Sequence, residues 1–158
     1  MPLTILIEVF HMNPIFFVTN IRPISYNNTK NKKIYQEKLT KDFNEFAGLY
    51  SNIPLTLPLY SKVIYIHKNQ HTLLDVDNLS KPFIDAFPNV IYSDDNLINH
   101  RICSKITKET FSLLEFEMSN YPDKIAEKLD EYLSNGSEHI LYFEVGEFKN
   151  EMVKFGGE

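Results

Sequence analysis

The 158-residue chain has one cysteine, Cys103, and five glycines that are scattered or terminal. A single cysteine excludes an internal disulfide and fits a reducing, cytoplasmic setting. With no Gly-rich segment there is no loop of the kind that cradles nucleotide phosphates. Long apolar runs are missing too. The apolar N-terminus is interrupted by Glu8, His11, Asn13 and Pro14, which leaves no segment able to span a bilayer. It also lacks the positive leader of a secretory signal. We find no internal repeat and no low-complexity tract. Nor is there an excess of positive charge: the net charge is −5, which taken alone argues against a nucleic-acid partner. What remains is a globular composition, 43% hydrophobic and 13% aromatic, long enough for one domain with a real core.

The distribution of charge says more than its sum. Residues 115–158 hold eleven acidic and four basic side chains, a balance of −7, so residues 1–114 hold ten acidic and twelve basic, or +2. Residues 20–70 carry eight basic side chains against three acidic. The acidity therefore belongs to the C-terminal part. The first two-thirds is mildly basic around one cluster of aspartates, an arrangement that lets phosphates approach a bound cation.

Periodicity outlines the elements. Leu3, Ile5, Ile7 and Val9 alternate as in a buried strand, and Ile15–Thr19 reads as a second. Residues 22–33 (RPISYNNTKNKK) read as a loop whose Lys30, Lys32 and Lys33 either grip backbone phosphates or are simply solvated. Tyr35, Leu39, Phe43 and Phe46 form a helical stripe ending at Gly48. A strand follows at about Tyr60–His67. Residues 97–106 and 111–118 read as a hairpin turning through Thr107–Glu109. Pro122 starts an amphipathic helix with Ile125, Leu129, Tyr132 and Leu133 on one side and Asn135–Gly136 as the stop. His139–Phe148 reads as a final strand, and residues 149–158 as a fraying end. Strand and helix patterns in this succession predict an α+β fold.

The chemistry is concentrated in residues 74–98, LDVDNLSKPFIDAFPNVIYSDDNLI. If Asp75 and Asp77 end a strand, they share a face while Leu74 and Val76 point into the core. Asn78, Lys81 and Asp85 then lie on one face of a short helix, with Leu79, Phe83, Ala86 and Phe87 on the other. Asn78 suits a helix cap, and Pro82 is tolerated if it falls in the first turn. Asp94 and Asp95 follow on a turn. Gathered carboxylates repel and call for a divalent cation, and oxygen-only ligands favour magnesium or manganese. An EF-hand is excluded, because its sixth and twelfth positions would be Ser80 and Ala86. His67 and His71 flank the motif, but hard cations prefer oxygen. Cys103 sits in an apolar strand with no partner that would make it a nucleophile. Lys81 has an ordinary alternative, an ion pair with Asp77 or Asp85 worth only about 0.2–0.5 kcal/mol.

The pattern D-x-D-N-L-x-K-P-x-x-D-A followed by D-D-x-x-I, made by Asp75, Asp77, Asn78, Leu79, Lys81, Pro82, Asp85, Ala86, Asp94, Asp95 and Ile98, resembles the signature of the RusA family of magnesium-dependent Holliday-junction endodeoxyribonucleases. Pro23, Ser25, Asn27 and Tyr35 resemble its N-terminal loop more weakly. The resemblance runs from about Ile15 to Met118. It implies a nuclease core over residues 1–118, with residues 1–14 as an extra strand, and an acidic extension over 119–158 packed on the same domain. By that likeness Asp75, Asp77 and Asp95, with Asp94 as a further ligand or a cap, hold Mg²⁺ (or Mn²⁺), and Lys81 neutralises charge on the phosphate. By the same likeness Asp85 orients Lys81; from their charge and position Asn27, Lys30, Lys32, Lys33, Arg101 and Lys105 are candidates for DNA contact, with a solvated face the equal alternative for Arg101 and Lys105. A homodimer is implied, with two sites for a two-fold substrate. The chain departs from the family where an arginine-rich run commonly precedes D-x-D: here it reads HKNQHTLL. Two alternatives stay open at this point: a related nuclease of a phage or anti-phage system with another substrate preference, or a non-catalytic DNA-binding protein that retains the fold.

Overall fold

The computed structural model describes residues 13–68, 74–111 and 120–156, with side chains omitted at 110–111. The elements run β1 (Ile15–Thr19), α1 (Thr29–Ala47), β2 (Leu59–His67), α2 (Val76–Ile84), a 3-10 turn (Asp95–Leu97), β3 (Ile98–Thr107), α3 (Lys108–Phe111), α4 (Asp123–Ser134), β4 (His139–Glu147) and a second 3-10 turn (Asn150–Met152). This is an α+β fold around a four-stranded mixed sheet, ordered β1-β4-β2-β3. β4 is antiparallel to both β1 and β2, with Phe143 opposite Phe17 on one side and Val63 on the other. β2 and β3 are parallel, with Val63 opposite Cys103. A parallel pair needs a crossover rather than a tight turn. That crossover is the stretch from Lys68 to Leu97, so topology alone carries the whole acidic motif over one face of the sheet.

Alternation along the strands explains how that face is filled. Ile15 and Phe17, Val63 and Tyr65, and Leu141, Phe143 and Val145 point toward the helices. Phe17 meets Phe43 of α1 edge-on with centroids 5.5 Å apart and Phe87 at 5.8 Å, and Phe83 of α2 meets Phe143 at 5.0 Å. All five rings are fully buried. α4 buries Ile125, Leu129 and Tyr132 beside β1 and α1, where Lys124 donates to the carbonyl of Glu45 and lies over the Phe46 ring. No described helix is long and apolar enough to cross a membrane.

Several expectations need correction. α1 begins at Thr29, capped by the Asn28 side chain, so Lys30, Lys32 and Lys33 ride its first turns instead of a loop. Residues 107–109 do not turn a hairpin: β3 ends at Thr107 and α3 begins at once. The hairpin's second arm at 112–118, the strand expected at Leu3–Val9, and His71 lie outside the described residues. The C-terminal segment supplies a central strand, with β4 between β1 and β2. Its last residues add a 3-10 turn, tied on where Phe148 N–H donates to the Pro58 carbonyl at 2.9 Å.

Candidate active site

Asp75 and Asp77 do not end a strand. Asp75 is extended (φ −80°, ψ 165°) and is itself the N-cap of α2. Its Oδ1 accepts the Asn78 N–H at 2.8 Å, and its Oδ2 accepts Asn78 Nδ2 at 3.1 Å. The cap is thus Asp75 and not Asn78, because a carboxylate three residues ahead of a free N–H satisfies one of the orphan donors of the first turn. With the helix starting at Val76, that residue faces outward, 36% exposed, while Leu74 packs against the core. Asp77 falls in the first turn, where its charge suits the helix dipole.

Pro82 is consequently inside α2, not in its first turn. Proline has no N–H, so the carbonyl of Asn78 is left without its donor one turn on. The backbone N–H of Tyr26 fills the vacancy at 3.1 Å. The Pro82 carbonyl in turn accepts from Gln36 Nε2 of α1 at 3.2 Å. One helix irregularity thereby ties the segment before α1 to α2.

The second acidic segment is docked from behind. Tyr92 is fully buried and donates its hydroxyl to the Ile84 carbonyl at 2.5 Å. The turn holding it is stitched to Leu55, which donates to the Ile91 carbonyl and accepts from Ser93 N–H. Asp94 caps the 3-10 turn, its Oδ1 accepting Asn96 N–H at 2.8 Å. Asp95 is delivered toward α2, and Lys81 Nζ donates to Asp95 Oδ2 at 3.3 Å and to Asp85 Oδ1 at 2.6 Å. Lys32 of α1 approaches the other Asp85 oxygen at 3.5 Å.

Electrostatics follow from this arrangement. The hydrogen bond to Asp85 raises the Lys81 pKa; partial burial works against it, and the charge of Asp85 and the contact with Asp95 add to it. Burial pushes the Asp95 carboxyl up, yet hydrogen bonds with Lys81 and Asp94, the Lys81 charge and Asp85 together hold it below the usual carboxylate value. Lys81 is therefore a cation between two anions. Cys103 is pushed up to about 11, chiefly by burial, and is no thiolate at neutral pH.

Of these residues Asp77, Asn78, Lys81 and Cys103 border a cleft of about 570 Å³, lined also by Tyr26, Val76, Ser80 and Arg101; Asp75, Asp85, Asp94 and Asp95 are not in its lining. Arg101 donates to Ser80 Oγ, and Lys105 Nζ to the Leu74 carbonyl at 2.9 Å. The structure thus brings Asp77, Asn78, Lys81 and Arg101 to one opening, with Asp85, Asp95 and Lys32 behind Lys81. Asn27, Lys30 and Lys33 are exposed outside the cleft lining. Sequence reasoning missed Tyr26, Ser80 and Tyr92. A proline seven residues into a helix signals an orphan carbonyl and hence a partner such as the Tyr26 N–H.

The donor atoms, though not yet their arrangement, are of the kind a hard divalent cation takes. They are all oxygen, the Asp77 carboxylate has no hydrogen bond or ion pair among the described residues, and Asp75 keeps lone pairs beyond its two hydrogen bonds. Among the described residues, no three His, Cys, Asp or Glu side chains are drawn into one cluster, and Asp95 is instead paired with Lys81.

Compared with known proteins, residues 18–115, more than half of the chain, match the family model described as Endodeoxyribonuclease RusA. A search of the curated proteins finds no match.

Proposed function

The chain belongs to the RusA family of endodeoxyribonucleases, and from that premise we propose that it is a divalent-metal-dependent nuclease that resolves four-way DNA junctions. The observation that best supports this reading is Lys81. It lines the cleft with Asp77, whose carboxylate has no partner among the described residues, and is held as an ammonium by Asp85 and Asp95. A positioned cation of this kind stabilises charge that develops on a phosphate in the transition state. With its pKa raised, Lys81 is a poor base; its work is electrostatic.

Asp75, Asp77 and Asp95 are the carboxylates that would hold Mg²⁺ or Mn²⁺, with Asp94 adjacent. When bound, the ion polarises the scissile phosphate and lowers the pKa of an attacking water. Asp85 fixes the Lys81 ammonium through its 2.6 Å contact. Arg101 and Lys105 on β3 and Lys32 on α1 supply positive charge for flanking phosphates, and Lys30, Lys33 and Asn27 extend it outward. A homodimer would set two such clefts against a two-fold substrate, since closed two-fold pairing repeats one site on both subunits. An acidic chain with one partly buried thiol that acts on DNA suits the cytoplasm.

The test is a substrate panel of four-way junction, flap and linear duplex, each incubated with Mg²⁺ or EDTA. Paired nicks in the junction, with Mg²⁺ only, are expected. Asp77→Asn should abolish cutting and keep binding; cutting that survives this change removes Asp77 from the site.

A further inference from the structure

Tyr26 is an aromatic residue at the cleft mouth that the resemblance does not account for. It is 44% exposed and lines the cleft with Val76, Asn78, Lys81 and Arg101. An isolated exposed aromatic is unremarkable on a protein surface. This one is held. Its backbone N–H occupies the Asn78 carbonyl that Pro82 leaves free. Lys32 Nζ lies 5.2 Å from the ring centroid, within cation–π range, while also reaching Asp85. The backbone is thus tied to α2 and the ring has one contact with Lys32, while the residue stays 44% exposed in the cleft lining.

A phosphate drawn to Lys81, Arg101 and Lys32 brings its own sugar and base alongside. A phenol ring binds a base through its face, and stacking of this kind tolerates any sequence. In continuous duplex the base faces are already stacked on one another, and only their edges are on offer. A free face exists where stacking is broken, at a branch, a flap or an unpaired nucleotide, and extracting one from a duplex carries a cost in unstacking.

We infer that Tyr26 stacks on an unstacked nucleobase next to the phosphate held by Lys81, and that this contact makes the cleft prefer branched DNA over continuous duplex. The inference rests on the nuclease reading and adds a specificity determinant to it. The substitution Tyr26→Ala keeps the backbone N–H that tethers the segment, so it removes the ring alone.

The experiment uses the full chain and a four-way junction carrying 2-aminopurine at the branch point, with an unlabelled linear duplex as control. Binding is measured in EDTA and cutting in Mg²⁺. Expected are quenching of 2-aminopurine by the wild type, loss of that quenching in Tyr26→Ala, and junction affinity weaker by about 5- to 100-fold. Linear-duplex affinity should stay within about twofold, because it depends on phosphate contacts. Tyr26→Trp should restore quenching and preference. If Tyr26→Ala quenches and prefers junctions as the wild type does, the stacking role is overturned. A wild type that quenches in EDTA but cuts nothing in Mg²⁺ overturns the nuclease reading and leaves the stacking contact standing.

Discussion

Asparagine at position 75 separates two functions of one carboxylate. Asp75 caps α2 through Asn78, and asparagine caps about as well as aspartate, whereas alanine costs about 1 kcal/mol. Asp75→Asn should keep the melting temperature while lowering cleavage, and Asp75→Ala should lower both; equal cleavage by wild type and Asp75→Asn would remove Asp75 from metal binding. Lys81 allows a similar separation. Its side chain is 39% exposed in its pairs with Asp85 and Asp95, and exposed pairs of this kind contribute about 0–1 kcal/mol. Loss of one electrostatic donor to the transition state costs about 10²–10³ in rate. Lys81→Gln should thus leave thermal stability nearly unchanged and reduce cleavage by about that factor, read by single-turnover kinetics. A third residue-scale case lies across the sheet. A Cβ at Gly146 would meet Tyr60 Cε1 at 2.8 Å, in a ring whose hydroxyl donates to Glu144 at 2.5 Å. Gly146→Ala should cost about 1–3 kcal/mol, and combining it with Tyr60→Leu should be less than additive in denaturant melts.

At the scale of the element, α2 contains a deliberate flaw. A proline in a helix interior costs about 3 kcal/mol relative to alanine, and here it exposes the carbonyl that Tyr26 uses. Pro82→Ala supplies a competing N–H one turn from Asn78. We expect a more stable helix and a looser segment before α1: higher melting temperature, with faster amide exchange at Tyr26. Unchanged exchange there would mean the tether is held by other contacts. The D-x-D-N stretch shows why this element was only half legible. Its apolar–acidic alternation fits the end of a strand, and an acidic residue three before a free N–H equally fits an N-cap. Period-two and capping signals coincide over four residues, and only the backbone path decides between them. By contrast the stripe of four buried residues in α1, Tyr35, Leu39, Phe43 and Phe46, allowed only a helix, although its first turn from Thr29 reads as loop.

Across the whole molecule, the segment after residue 119 matters most. β4 pairs with β1 and β2 along its length and contributes Leu141, Phe143 and Val145 to the core, all fully buried. Deleting residues 119–158 should therefore abolish cooperative unfolding, checked by urea melts. The strand ends add a pH dependence. His139 faces His67 across the register and shares a 2.7 Å hydrogen bond with Tyr65 Oη. Burial, then Arg22 and His67, hold its pKa below the ordinary 6.5, with Glu138 opposing. The unfolded chain then takes up a proton more readily than the folded one, so stability is full above about 6.5 and falls as pH drops below it. Wild type should lose more stability than His139→Gln between pH 7.5 and 5.5. What the amino-acid order determined by itself was local: which stretches are apolar at period two or 3.6, and which residue types stand together between 74 and 98. Those properties depend on neighbours a few positions away. Only the tertiary structure decided that β4 fills the centre of the sheet, that β2 and β3 run parallel, and that Asp95 reaches Lys81 fourteen residues earlier. Each of these depends on which distant surfaces bury one another best, and no local spacing records that competition.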